Sequence, residues 1–184
     1  MNGYNFTDDV RRTLQQARES AGQLGSDQVE PVHILLGITE SPGNVTRAVL
    51  TELGATSEQI AASARSLARP VRRATSHGPD LPYTRQAKRV LEDAMSAARR
   101  LEHSYVGCEH LLLALADPAS PLAGHLRAAG LSAEAIEAIV RRTVPARTGP
   151  PPAPVAAMND PIARIAAFAA LVLAGLALWT ALRR

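Results

Sequence analysis

Apolar residues recur with the period of an α-helix in two stretches of the chain. The first stripe, with intervals of three and four residues, consists of Val10, Leu14, Ala17, Ala21 and Leu24. The second stripe has the same period and consists of Ala87, Leu91, Ala94, Ala98 and Leu101. Thr7 and Thr84 precede the two stripes at positions typical of helix N-caps. The pattern therefore predicts two equivalent amphipathic helices.

The two stripes belong to a longer internal repeat. Residues 7–40 recur 77 residues later as 84–117, and after a slip of one residue Gly54 aligns with Gly130. Each copy continues with a short apolar helix, a third helix that stops at its glycine and a fourth helix. Asn44 is the predicted cap of one third helix, and the fourth helices start after Thr56 and Ser132. Because one copy is too small to bury its own apolar faces, we expect an all-α, eight-helix, pseudo-two-fold domain. Its expected core includes Leu14, Leu91, Leu35 and Leu112.

A different pattern follows the second copy. The stretch 149–154 is rich in proline, and residues 165–182 carry no charged side chain. Eighteen helical residues span about 27 Å, close to the roughly 30 Å hydrocarbon core of a bilayer. The sequence therefore predicts a C-terminal transmembrane helix, anchored by Arg164, Ile165, Trp179, Leu182, Arg183 and Arg184. The alternative, an Ala-rich helix buried in a soluble bundle, is disfavoured because the segment is apolar on every face and follows a linker.

These patterns divide the chain into five parts. They are repeat one at 1–69, an inter-repeat loop at 70–82, repeat two at 83–144, a Pro-rich linker at 145–161 and a tail anchor at 162–184. The N-terminus has no apolar signal region, and the single cysteine, Cys108, excludes an intramolecular disulfide and suits a reducing compartment. We therefore expect a single-pass protein of the cytoplasmic membrane with its repeats facing the cytoplasm.

Charge and motif content exclude several classes of function. The formal net charge is +3. A nucleic-acid partner requires a concentrated basic face, and none is visible except the short run Arg69, Arg72 and Arg73. No Gly precedes a Lys, so the chain has no phosphate-binding loop of the ATPase type. No set of catalytic residues or cofactor motif is apparent, and we expect neither an enzyme nor a cofactor.

Two kinds of reactive side chain still require interpretation. His33 and His110 stand at equivalent positions near helix starts, without the further close ligands that a metal site needs. We interpret them as histidines hydrogen-bonded at a helix start and expect no metal. Cys108 lies beside Glu109 and His110, but adjacent residues of one helix point in different directions, so a catalytic thiol is not expected.

The run Leu-Glu-His-Ser-Tyr-Val-Gly-Cys-Glu-His-Leu-Leu-Leu-Ala-Leu at 101–115 closely resembles the signature of the Clp N-terminal (Clp R) repeat. In that signature a Gly-Thr-Glu-His-Leu-Leu-Leu-like sequence opens the second helix. Phe6-Thr7 and Tyr83-Thr84 are similar to the family's repeat start. The resemblance covers residues 4 to about 143 and implies the eight-helix Clp N-domain.

The resemblance also implies a function. In Clp-type unfoldases this domain stands in front of the AAA+ ATPase rings, where it docks adaptors and captures substrates. We therefore expect a membrane-tethered module that binds Clp-system adaptors or polypeptide substrates and so localises or modulates Clp-dependent proteolysis. A membrane scaffold that self-associates is the alternative, and the oligomeric state stays open.

Some members of this family bind phosphorylated arginine through the Glu of the motif in each repeat. The carboxylate holds the guanidinium, and helix-end amides hold the phosphate. Repeat two keeps Glu109 but has Cys108 in place of Thr, and repeat one has Pro31 and Val32 at these positions. The resemblance therefore implies at most one degenerate site for phospho-arginine or a peptide, with Glu109, Cys108 and Thr84 as its contacts.

Overall fold

The computed structural model describes residues 5–68 and 81–144, which belong to one compact unit, Met1–Arg147. In chain order the elements are β1 (Asn5–Phe6), α1 (Asp8–Gln23), α2 (Pro31–Glu40), α3 (Asn44–Glu52), α4 (Ser57–Leu67), α5 (Arg85–Arg100), β2 (Tyr105–Val106), α6 (Cys108–Ala116), α7 (Ala123–Ala128) and α8 (Ala133–Thr143). Four helices per repeat confirm the predicted helical fold. The two short strands were not expected.

Several predicted segments cannot be compared with the structure. The predicted linker and tail anchor, together with most of the predicted inter-repeat loop, lie outside the described residues. Within the described ranges, no helix has both the length and the apolar character needed to cross a membrane.

Most helix starts follow from local chemistry. The Thr7 and Thr84 hydroxyls accept the backbone N–H groups of residues 10 and 87 at 3.3 and 3.1 Å, and Ser132 caps α8 in the same way. The prediction for Asn44 was wrong, because α3 begins at that residue and its N-cap is Gly43. The chain before α3 passes close to α1, and a Cβ at Gly43 would lie 3.1 Å from Asp9 Oδ2.

Helices α2 and α6 form the centre of the core. Every residue of α6 is buried, as is every residue of α2 except Glu40, which agrees with helices that are apolar on all faces. The two helices contact each other, with α1 and α4 packed on α2 and α5 and α8 packed on α6. Leu35 and Leu112, at 3% and 0% exposure, confirm their predicted burial.

The predicted burial of Leu14 and Leu91 was wrong, since both are only partly buried at the edge of the core. For Leu14, the cause is the close approach of α1 and α2. A Cβ at Gly37 would lie 2.2 Å from the backbone oxygen of Thr13 and 3.2 Å from the backbone nitrogen of Ala17. The centre of the α1 contact is therefore occupied by small side chains, and the leucine is displaced to its flank.

The short strands join the two repeats. Strand β1 pairs in parallel with β2, which sets Phe6 opposite Val106, and a parallel bridge sets Tyr83 opposite Val29. These two pairs are equivalent at the repeat offset of 77 residues. The start of each repeat is thus bound to the turn before the second helix of the other repeat. We call this reciprocal pairing the exchange of strands between the repeats. It confirms the predicted packing of the two copies.

Candidate functional site

A cavity of about 230 Å³ opens where the two repeats meet. Three helix N-termini converge on it, and its lining consists of Thr7 and Asp9 from α1, Gly43, Asn44 and Val45 from α3, and Tyr105, Gly107, Cys108 and Glu109 from the start of α6. Unpaired N–H groups and the helix dipole make an N-terminus attractive to anions. Two carboxylates in the same lining favour a cation. The cavity therefore suits a group that carries both charges.

Glu109 is the buried charged residue of this cavity. Its side chain is 4% exposed, and its Oε1 has no hydrogen-bond partner among residues 5–68 and 81–144. Burial raises the pKa of Glu109, although hydrogen bonds from its own backbone N–H and from Tyr105 act against this, and the charge of Asp9 adds to the increase. A buried oxygen without a partner carries a desolvation cost that a bound donor would remove.

Gly107 determines where this carboxylate lies. The residue is the N-cap of α6, and a Cβ there would come within 2.3 to 2.6 Å of the Glu109 carboxyl group. The carboxyl group folds back over the N-cap backbone into space that a side chain at residue 107 would occupy. A glycine at this position is therefore a requirement for the observed geometry.

The structure brings together two of the three residues predicted as contacts. Cys108 and Glu109 both line the cavity, but Thr84 lies elsewhere as the N-cap of α5. Its repeat-one equivalent, Thr7, lines the cavity instead. The reason is the exchange of strands, which carries the start of α1, and not that of α5, to the turn before α6.

Cys108 has the properties of a packed thiol. It is 1% exposed, and its Sγ lies 3.4 Å from the Thr13 hydroxyl. Burial raises the pKa of Cys108, which disfavours the reactive thiolate. Cys108 therefore contributes to the site as a residue of the first turn of α6 and not as a reactive thiolate.

Sequence reasoning missed Asp9, Asn44 and Tyr105 as lining residues of the cavity. Asp9 also forms an ion pair with Arg12. No local pattern marks these residues, because they meet only when the repeats pack. At the position of Glu109, repeat one has buried Val32, so that copy offers no carboxylate there.

The two helix-start histidines have the predicted role. Nδ1 of His33 accepts the backbone N–H of Glu30, and Nδ1 of His110 accepts that of Gly107, each at 2.9 Å. Burial lowers the pKa of both histidines to about 4, and the electrostatic interaction with His103 adds to this effect at His110. Both rings are therefore neutral at pH 7, as their acceptor role requires.

One group of side chains in the described residues has the composition of a metal site. Ligand atoms of His103, Glu109 and His110 all lie within 4.8 Å of one another, and all three residues are buried. However, every ring nitrogen of the two histidines is engaged in a hydrogen bond of 2.9 to 3.1 Å. A metal ion would have to displace these bonds, so the group is better described as a hydrogen-bonded cluster.

Comparisons with known proteins identify relatives of this chain. Residues 5–129 match the family model of the Clp repeat (R) N-terminal domain. The chain is 38% identical over 110 residues to the "Negative regulator of genetic competence ClpC/MecB" of Bacillus subtilis. It is 33% identical over 114 residues to an "ATP-dependent Clp protease ATP-binding subunit ClpC" of Staphylococcus aureus. Each match covers 60% of this chain but only 13% of the relative.

Solved structures share the fold. The Hsp104 N-terminal domain from Candida albicans is 21% identical with a TM-score of 0.64, and the match covers 78% of this chain and 93% of that one. The N-terminal domain of the chaperone ClpD from Arabidopsis thaliana is 23% identical with a TM-score of 0.56, covering 76% and 94% of the two chains.

Proposed function

This chain belongs to the Clp repeat (R) N-terminal domain family, and we propose that it is a non-enzymatic, membrane-tethered module that binds Clp-system adaptors or polypeptide substrates. Such binding would localise or modulate Clp-dependent proteolysis at the cytoplasmic face of the membrane. The membrane tether is supported by the uncharged segment 165–182. The observation that carries the binding proposal is the cavity between the repeats, with its buried, unpartnered carboxylate oxygen.

The chemistry of the cavity indicates which group of a partner it would receive. Glu109 can pair with a guanidinium, and the N-termini of α3 and α6 can accept an anion attached to it. A phospho-arginine side chain has both charges. Within this proposal Glu109 holds the cation and the backbone at Cys108 contributes to the anion site, while Thr7 replaces Thr84 as the neighbouring hydroxyl.

Calorimetric titration of phospho-arginine into the full chain tests this assignment. Removing a charged hydrogen bond costs roughly 1.5 to 3 kcal/mol, so Glu109→Gln should weaken binding by at least about tenfold. Glu134→Gln is the matched control, because Glu134 is an exposed carboxylate in the first turn of α8, and it should bind like the wild type. If the wild type does not bind, or if Glu109→Gln binds equally well, the domain is a protein-docking surface without this site.

A pull-down from membranes with quantitative mass spectrometry tests the wider function. Clp unfoldases, their adaptors or their substrates should be enriched with the full chain, less so with Glu109→Gln, and unchanged with Glu134→Gln. The competing function is a self-associating scaffold, favoured only by the small-residue pair Ala170 and Ala174 at helical spacing in the predicted membrane segment. Recovery of this chain alone would support the scaffold and contradict the Clp-partner proposal.

A further inference from the structure

A chain of hydrogen bonds runs behind the cavity, from the turn that opens α6 to the residue that ends α8. The backbone N–H of Gly107 donates to Nδ1 of His110 at 2.9 Å. Nε2 of His110 lies 2.9 Å from Nδ1 of His103, and Nε2 of His103 lies 3.1 Å from the carbonyl oxygen of Val144. Val144 is the C-cap of α8. We refer to these four residues as the histidine relay.

The ends of the relay fix its direction. A backbone N–H can only donate, so Nδ1 of His110 carries a lone pair and its Nε2 carries the proton. His103 must then accept at Nδ1 and carry its own proton on Nε2, where the carbonyl of Val144 can only accept. Both rings are thus neutral Nε2–H tautomers, and every polar atom of the relay is satisfied.

The relay is in direct contact with the proposed binding site. Oε1 of Glu109 lies 3.3 Å from Nδ1 of His110, the atom that already accepts the Gly107 N–H. Tyr105, which lines the cavity, stacks on His103 with ring centroids 5.6 Å apart and meets His110 edge-on at 5.8 Å. The rings that support the cavity are therefore the rings that form the relay.

Repeat one provides an internal comparison. His33 caps α2 as His110 caps α6, so the capping role needs no second histidine. At the position of His103 repeat one has Ser26, whose hydroxyl donates to the carbonyl of Gln28 at 2.7 Å. Repeat one also has Val32 in place of Glu109. The second histidine and the buried carboxylate are present together in one repeat and missing together from the other.

We propose that His103 and His110 are positioning residues that keep Glu109 free for a cationic ligand and couple occupation of the cavity to the end of α8 at Val144. The proposal rests on the binding site proposed above. While the relay is closed, His110 cannot donate from Nδ1 to Glu109. If the bond to His103 opens, the Nε2–H of His110 loses its acceptor, which favours the neutral Nδ1–H tautomer; this N–H can donate to Glu109 Oε1, 3.3 Å away, and so competes with the ligand. The ligand therefore favours the closed relay, and by linkage its binding stabilises the bond to Val144.

The tautomer of His110 in a variant without His103 distinguishes this mechanism from simple packing. The titratable groups that face His110 are Glu109, His103 and Tyr105, and Asp9 acts on Glu109 from α1. His103→Phe keeps a ring against Tyr105 but can neither accept from His110 nor donate to Val144. In this variant the Nε2–H of His110 has no acceptor, so nitrogen-15 NMR should show the Nδ1–H tautomer at His110, and phospho-arginine binding to the full chain should weaken by roughly tenfold. Ser26→Ala, at the equivalent position of repeat one, should keep the wild-type tautomer at His110 and the wild-type affinity.

Two measurements on the wild-type full chain need no variant. Nitrogen-15 NMR of the imidazoles should show the Nε2–H tautomer for both His103 and His110 at pH 7. Saturation with phospho-arginine should slow amide hydrogen exchange at Val144, whose N–H donates to Val140 at 2.8 Å. An Nδ1–H tautomer at either histidine would overturn the relay. Binding by the wild type with no change in exchange at Val144, together with wild-type affinity and an unchanged His110 tautomer in His103→Phe, would overturn the coupling.

Absence of phospho-arginine binding is a separate outcome. If phospho-arginine does not bind the wild-type chain, the proposed ligand and the coupling to it are both wrong. Two readouts then decide whether the relay exists: the tautomers of the two histidines in the wild type, and amide hydrogen exchange at Val144 in His103→Phe. Exchange at Val144 should be roughly tenfold faster in this variant than in the wild type, because one hydrogen bond is lost.

Discussion

At the scale of single residues, buried titratable groups link the stability of this domain to pH. Burial lowers the pKa of His33 and His110 from 6.5 to about 4. Between these values the unfolded chain binds protons that the folded chain does not, so both residues make stability increase with pH from about 4 to 6.5. Glu109 acts in the opposite sense. Its raised pKa means that the folded state keeps a proton above pH 4.5, and this contribution is lost as the pH rises further.

His33→Gln separates the capping role of the histidine from its titration. A glutamine at the third position of α2 can accept the same N-cap N–H but does not titrate. The unfolding free energy of the variant should change less between pH 4 and 6.5, by up to about 3 kcal/mol, as measured by urea unfolding at several pH values. His125→Gln, at an exposed position of α7, is the control and should keep the wild-type slope. An unaltered slope in His33→Gln would refute the assignment.

At the scale of helices, most boundaries were predictable because caps are local. Thr7, Thr84 and Ser132 accept N–H groups three residues ahead, and Gly54 and Gly130 end their helices with a positive φ, as the sequence predicts. Asn44 failed as a cap because α3 begins at that residue, with Gly43 as its N-cap. Gly43 lies against Asp9 of α1, a contact that no local sequence pattern records. The binding cavity was only partly predictable for the same reason, since Thr7 and Glu109 meet through the exchanged strands.

Glu102 follows the end of α5, and its residue type differs from that at the equivalent position of repeat one. The residue follows α5 with a φ of 57°, whereas the equivalent position after α1 is Gly25 with a φ of 70°. A residue with a Cβ pays roughly 1 kcal/mol in this conformation, and glycine does not. Glu102→Gly should therefore stabilise the domain by up to about 1 kcal/mol in urea unfolding, and Gly25→Ala should destabilise it by a similar amount. A loss of stability in Glu102→Gly would contradict this account of the turn.

At the scale of the whole molecule, the two repeats share one core. Helices α2 and α6 are in contact, so the apolar surface of each copy is covered by the other. This explains why the repeat could be read from the sequence while the cavity between the copies could be predicted only in part. The apolar pattern specifies that two units pack, but not which loops the packing brings together.

Leucine truncations at equivalent positions test the shared core. Leu35→Ala and Leu112→Ala each remove a buried side chain and should each cost roughly 2 to 5 kcal/mol. Because the core is continuous, each variant should still unfold in a single transition when followed by circular dichroism. Two separate transitions, with only the mutated repeat destabilised, would show that the copies fold independently.

The proposed membrane tether makes a prediction about localisation. The full chain should fractionate with membranes and resist washing with carbonate, whereas a chain ending at Thr148 should be soluble and folded. Centrifugal fractionation followed by circular dichroism of the shortened chain measures both properties. A soluble full chain together with an aggregated shortened chain would show that the apolar segment is a core helix instead.

The central claim is that this double repeat has one charged binding site, which lies between its copies at Glu109. A titration of the nitrogen-15-labelled full chain with phospho-arginine, followed by amide chemical shifts, tests it most directly. We predict saturable shifts at residues 105–109, 43–45 and 7–9, with the positions 28–32 and 84–86, equivalent to 105–109 and 7–9, unaffected. Equal shifts at both sets of positions, or no saturable shift at either, would contradict the claim.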